Sequence, residues 1–107
     1  MSDMEQISDK MAELQKLRVA VVTLLCQENS KVLSRRQRVA GKEIEVMCAE
    51  RDLIGSVDQT AAQAALNDLY LEKISARQAL TEAEQETEKL EAFLARIGAD
   101  ISALCQS

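Results

Sequence analysis

Two ladders of apolar side chains at seven-residue spacing run through this chain, one on each side of a single turn signal, and they confine it to paired helices. Stepping by seven from Met4 meets Met11, Arg18, Leu25, Val32, Val39, Val46 and Leu53. Past the turn, one row holds Leu66, Lys73, Leu80, Thr87, Leu94 and Ile101. Its companion row holds Ala62, Leu69, Ala76, Ala83, Leu90, Ile97 and Leu104. Rows offset by three and four residues put a narrow apolar stripe along one side of an α-helix, and such a stripe is buried against another helix. Nothing in the composition resists long helices: Pro is absent, and the three glycines, at 41, 55 and 98, stand alone. One Tyr, one Phe and no Trp leave little of the bulk that fills a globular core. The expected fold class is therefore all-α, an antiparallel two-helix coiled-coil hairpin that assembles into a four-helix bundle or a larger helical complex.

The boundaries follow from local chemistry. Ser2 with Glu5 three residues on fits a capping box that opens helix one, expected over about residues 3–54. Gly41 falls inside it and marks a candidate kink, since glycine costs about 1 kcal/mol relative to alanine in a helix. Gly55-Ser56-Val57-Asp58 is the turn. Gly55 suits the left-handed position that closes a helix, Ser56 with Gln59 offers a capping box, and Asp58 competes as N-cap. Helix two then spans about residues 58–105, with a candidate loosening at Gly98. The 107 residues are read as one hairpin domain.

A turn centred near residue 56 sets the register. It places Ile7 by Leu104, Met11 by Ile101, Leu14 by Ile97, Val21 by Leu90, Val32 by Leu80 and Val46 by Leu66. It also places Glu28 by Ala83, Arg35 by Ala76, Lys42 by Leu69 and Val39 by Lys73, so the middle of the seam is expected to be poorly sealed. A β-insert between the helices is disfavoured, because residues 39–57 show no apolar–polar alternation.

Several function classes lose their support at this stage. A net charge of −5 disfavours nucleic acid and anionic membranes as partners. The acidic N-terminus, Met-Ser-Asp-Met-Glu, lacks a basic region followed by an apolar run, and the longest nearly apolar stretch, Val19 to Cys26, is short of the ~20 residues that span a bilayer. A cytoplasmic protein is expected. The chain has no His, hence no ordinary general base near neutral pH and no imidazole ligand, and it has no glycine-rich phosphate loop. No enzyme, cofactor, metal or small-molecule substrate is expected. Cys26, Cys48 and Cys105 follow no zinc spacing and read as small apolar filler in a reducing compartment.

What remains is surface for other helices. In Val19–Cys26 a two-stranded seam uses only Val21 and Leu25, so Val19, Val22 and Leu24 are left on other faces. Such a patch marks either a homodimer contact or a groove for a helix from another protein. Charge is also segregated. Lys31, Arg35, Arg36, Arg38 and Lys42 form a basic run with no acid, whereas Glu82, Glu84, Glu86, Glu88 and Glu91 form an acidic one. In the register above these runs miss each other by about 15 Å and are expected to meet between chains. The expected function is a non-enzymatic interaction or assembly protein acting through helix–helix packing. Val19, Val22, Leu24 and Leu25 are the candidate contacts, and Arg35, Arg36, Arg38, Glu82 and Glu86 the residues that set orientation. The alternative is a small cytoplasmic chaperone or adaptor that masks an amphipathic helix of a client, such as a secretion substrate.

Overall fold

A computed structural model describes residues 2–106, with side chains from Asp3 onward. Two α-helices account for nearly all of it: α1, Ser2–Ile54, and α2, Gln59–Cys105. They pack antiparallel as a helical hairpin, and among the described residues there is no strand. The capping box expected at Ser2 falls outside the described side chains.

α1 continues without a break through Gly41, and α2 through Gly98. Neither the candidate break at Gly41 nor the loosening at Gly98 interrupts its helix. Ala40, Lys42 and Glu43 beside Gly41, and Ala95, Arg96 and Ala99 beside Gly98, are helix formers that carry each helix past a single weak position.

The turn is held by side chains. Asp58 is the N-cap of α2, its Oδ1 accepting the Ala61 N–H at 3.0 Å. The Ser56–Gln59 pair does not form the expected reciprocal box. Gln59 Nε2 donates instead to the carbonyls of Leu53 at 2.8 Å and Ser56 at 2.9 Å. Ser56 adds its own N–H to the Leu53 carbonyl at 3.3 Å and its hydroxyl to the Asp58 carbonyl at 3.0 Å. A carbonyl left over at the end of α1 thus acquires two donors, one from the turn and one from the first residue of α2. Gly55 has no positive φ, which corrects the left-handed closure expected there. The Leu53 carbonyl, one that a left-handed closure could serve, takes its donors from Gln59 and Ser56 instead.

The hairpin divides into two units, each with its own packing. The turn unit is Lys31–Glu84, and the terminal unit joins Met1–Ser30 to Gln85–Ser107. In the turn unit the core consists of Val32, Val39, Val46, Leu66, Ala76 and Ala83; in the terminal unit Val21 and Ile97 are buried. Met11, Leu14, Leu25, Leu90, Leu94, Ile101 and Leu104 line the terminal seam half-buried. All but Leu14 and Val21 belong to the seven-residue rows given above; those two stand seven apart on a second row of α1, three residues from the first. Among the described residues no helix is long and apolar enough to cross a membrane.

Candidate interaction surface

The turn unit carries polar residues in its seam, and the structure shows how they are accommodated. Arg35 lies between Val32 and Val39 and is half-buried; its Nη1 donates to the backbone carbonyl of Ala79 at 3.1 Å. Lys42, one heptad further, donates to Glu72 at 2.8 Å and to Glu45 at 3.1 Å. The expected neighbours were Ala76 and Leu69, one helical turn short of these partners. Side chains on a helix slant toward its N-terminus, so a long side chain on α1 meets α2 at a higher residue number than the one level with it. The seam around residues 32–42 is therefore closed, not leaky: Val32 and Val39 are buried on either side of Arg35.

One edge of this unit carries a ladder of polar pairs. Tyr70 donates its hydroxyl to Glu50 at 2.7 Å, Arg77 Nη2 donates to Glu43 at 2.8 Å, and Arg36 Nη2 lies 3.6 Å from Glu84. Each pair is reached from the last by moving seven residues along both helices. Slipping by one heptad would bring Arg36 to Arg77 or Glu43 to Glu84, so the ladder penalises wrong registers. The charges also set the ionisation of these groups. Hydrogen bonding to Arg77 lowers the pKa of Glu43, and hydrogen bonding to Lys42 lowers that of Glu72. Lys42 is raised by hydrogen bonds to Glu72 and then Glu45, and Tyr70 is raised by its bond to Glu50.

The predicted orienting residues fall into different environments. Arg35 and Arg36 are engaged within the chain, as described. Arg38 is exposed, and its charge acts on Glu72. Glu82 is exposed, and Glu86 pairs with Lys89 at 3.3 Å. The two charge runs, expected to miss each other, make contact at Arg36–Glu84. Both side chains slant toward one another, which closes a gap that the backbone register alone leaves open.

Of the predicted contact residues, all in the terminal unit, Val19 is 66 % exposed, Val22 and Leu24 are also exposed, and Leu25 is half-buried in the seam. Thr23, the one hydroxyl in this run, turns back onto the Val19 carbonyl at 3.0 Å, so it competes little with the apolar character of the patch. The same unit has an open apolar groove of about 540 Å³ lined by Met4, Ile7, Met11, Ala12 and Leu104, with Ser8 and Gln15 at its polar edge.

A second set of exposed apolar residues lies in the turn unit and was missed in the sequence. Leu33, Ile44 and Met47 project from α1, and Leu71 and Ile74 from α2, all more than half exposed. A signal existed. Stepping by seven from Ala12 gives Val19, Cys26, Leu33, Ala40, Met47 and Ile54, a row with no polar member. Among the described residues no three His, Cys, Asp or Glu side chains gather as a metal-holding group. Comparison with protein-family models, characterised proteins and solved structures returned no match.

Proposed function

We propose that this chain is a non-enzymatic, coiled-coil assembly protein, working in the reducing cytoplasm, whose activity is to pack its outward apolar rows against further helices. The single observation that carries this reading is the second apolar row of α1. Val19 in the terminal unit and Leu33 and Met47 in the turn unit all face solvent although the hairpin seam is already complete without them. Isolated exposed hydrophobics need no explanation, but a row at heptad spacing on a helix is a packing surface. Val19, Val22, Leu24 and Leu25 remain the contacts proposed in the terminal unit. Arg38 and Glu82, exposed and on opposite helices, are left to orient an incoming partner, while Arg35, Arg36 and Glu86 act first within the chain. Cys26, Cys48 and Cys105 are exposed rather than the apolar filler expected, and three exposed free thiols fit a reducing setting.

The second reading, an adaptor that masks a client's amphipathic helix, draws on the groove of Met4, Ile7, Met11 and Leu104. The seam it was expected to open is closed by Arg35 and Lys42, which removes part of its support.

Photo-crosslinking in the native cells tests the assembly reading. A photoreactive residue placed at Val19, Leu33 or Met47 is expected to give discrete adducts, with none from control positions Glu13 and Glu88. Absence of discrete adducts at all three row positions overturns it.

A further inference from the structure

We infer that Arg35 and Lys42 are specificity residues of the seam: they let α1 pair with α2 and bar it from pairing with α1 of a second copy. This selection operates inside the turn unit and is independent of the outward rows.

The valines create the need for it. Val32, Val39 and Val46 stand on one row of α1 at seven-residue spacing, and all three are buried. β-Branched residues on one seam row, with leucine on the row three residues further on, favour a parallel two-stranded coiled coil. Two α1 helices laid in register would bring those valines together. On the second row, however, Arg35, Lys42 and Ala49 stand where leucine would complete the pattern.

Against α2 both cations are satisfied. Arg35 Nη1 donates to the Ala79 carbonyl at 3.1 Å, and Lys42 Nζ donates to Glu72 at 2.8 Å. Arg35 is half-buried, and the Lys42 side chain keeps only 20 % of its exposure, so both charges lie within the seam. Ala76 and Ala83, buried on this stretch of α2, and Ala79 beside them present only methyl groups. Side chains that short leave a helix carbonyl open to a guanidinium.

A second α1 offers no such fit. In the parallel pair Arg35 lies against Arg35 and Lys42 against Lys42 of the other copy, between layers of branched valines. Of the flanking pairs, Lys31–Arg36 and Glu45–Glu50 then oppose like charges, and Arg38–Glu43 alone joins opposite ones. A charge held in a seam without its partner is strongly destabilising, so the penalty falls on the wrong pairing. The right pairing gains little from the same charges, because apolar replacement of a buried ion pair is often neutral or stabilising. Selectivity, not stability, is what these two residues supply.

The test uses the full chain with Cys26, Cys48 and Cys105 replaced by serine and Ala49→Cys added. Ala49 is half-buried on the row of Arg35 and Lys42. Two parallel α1 helices in register bring this position against its counterpart, within disulfide reach, whereas in the hairpin it faces α2. In a glutathione buffer this parent chain is expected to form no interchain disulfide. Arg35→Met/Lys42→Met keeps the aliphatic stems and removes the charges. It is expected to form the disulfide as its main product, while its Tm by circular dichroism stays level or rises. Arg51→Leu, which adds apolar surface outside the seam, is expected to form none. A folded double variant without the disulfide overturns the inference, as does a parent or an Arg51→Leu chain that forms it equally well. If the methionine variant does not melt cooperatively, Arg35→Leu/Lys42→Leu is read by the same criteria. Failure of both to fold also overturns the inference, since the cations would then hold the hairpin itself together.

Discussion

Replacing Gly41 by alanine isolates the intrinsic cost of the weakest position in a 53-residue helix. The backbone there is helical, φ is not positive, and a Cβ built on it meets nothing within 4 Å. Neither strain nor a clash opposes the substitution, and no packing contact is added. What remains is the difference between the two residues in chain entropy and backbone shielding, about 0.8–1.0 kcal/mol in favour of alanine. For a chain of this size, ~1 kcal/mol raises Tm by about 4 °C. Urea denaturation followed by circular dichroism should show a higher midpoint with an unchanged slope. Gly98→Ala, equally free of neighbours within 4 Å and in the other unit, should give a similar gain, and the two should add. A loss of stability at Gly41, or a changed slope, would refute the reasoning, because it would require α1 to bend or to be closely approached there.

The buried row can be weighed against the exposed one. Val46, 3 % exposed, should cost about 2 kcal/mol when cut to alanine, whereas Val19→Ala should stay within about 0.5 kcal/mol in dilute solution, both measured by urea melts. Tyr70 is the only tyrosine and there is no tryptophan, so its ionisation can be read from tyrosinate absorbance. The midpoint should lie above 10.0 in the native chain and return toward it in Glu50→Ala. Acid stability follows from Glu43 and Glu72, whose pKa values are lowered from 4.5 by Arg77 and Lys42. Their contribution is complete above the unfolded value and is lost as pH falls through the lowered ones, so Tm should be level near neutrality and decline below about pH 5. Lys42→Met should make that decline shallower. Lys42 and Tyr70 are raised and act in the opposite sense, contributing fully below their ordinary values and less as pH rises through the shifted ones.

The hairpin was legible because its seam repeats faithfully. Val32, Val39 and Val46 on α1 and Leu66, Ala76 and Ala83 on α2 are buried where the seven-residue rows put them. Asp58 was legible as a cap because a short carboxylate before a helix-forming run has few other local uses. What escaped was the reach of side chains. A register drawn through Cα positions pairs Arg35 with Ala76, while the guanidinium travels another turn to the Ala79 carbonyl. The same slant joined Arg36 to Glu84. Gly55 was misjudged because glycine permits a left-handed turn without requiring one, and Gln59 had already supplied the missing donor. The outward row through Leu33 and Met47 escaped because a two-helix seam needs only one stripe on each helix, and the seam row alone accounts for the fold.

The division into two units has a kinetic consequence. Contacts in the turn unit close modest loops: Tyr70 and Glu50 are 20 residues apart, Lys42 and Glu72 are 30, and Arg35 and Ala79 are 44. In the terminal unit every contact between the helices must bridge at least the whole of Lys31–Glu84. Closing a flexible loop costs more entropy the longer it is, by about 0.6 kcal/mol per doubling, and near contacts form sooner. Folding is therefore directional. The Gln59 clasp and the ladder from Glu50–Tyr70 to Arg36–Glu84 form the slider of a zip, and Val21 and Ile97 are teeth that engage only after it has passed.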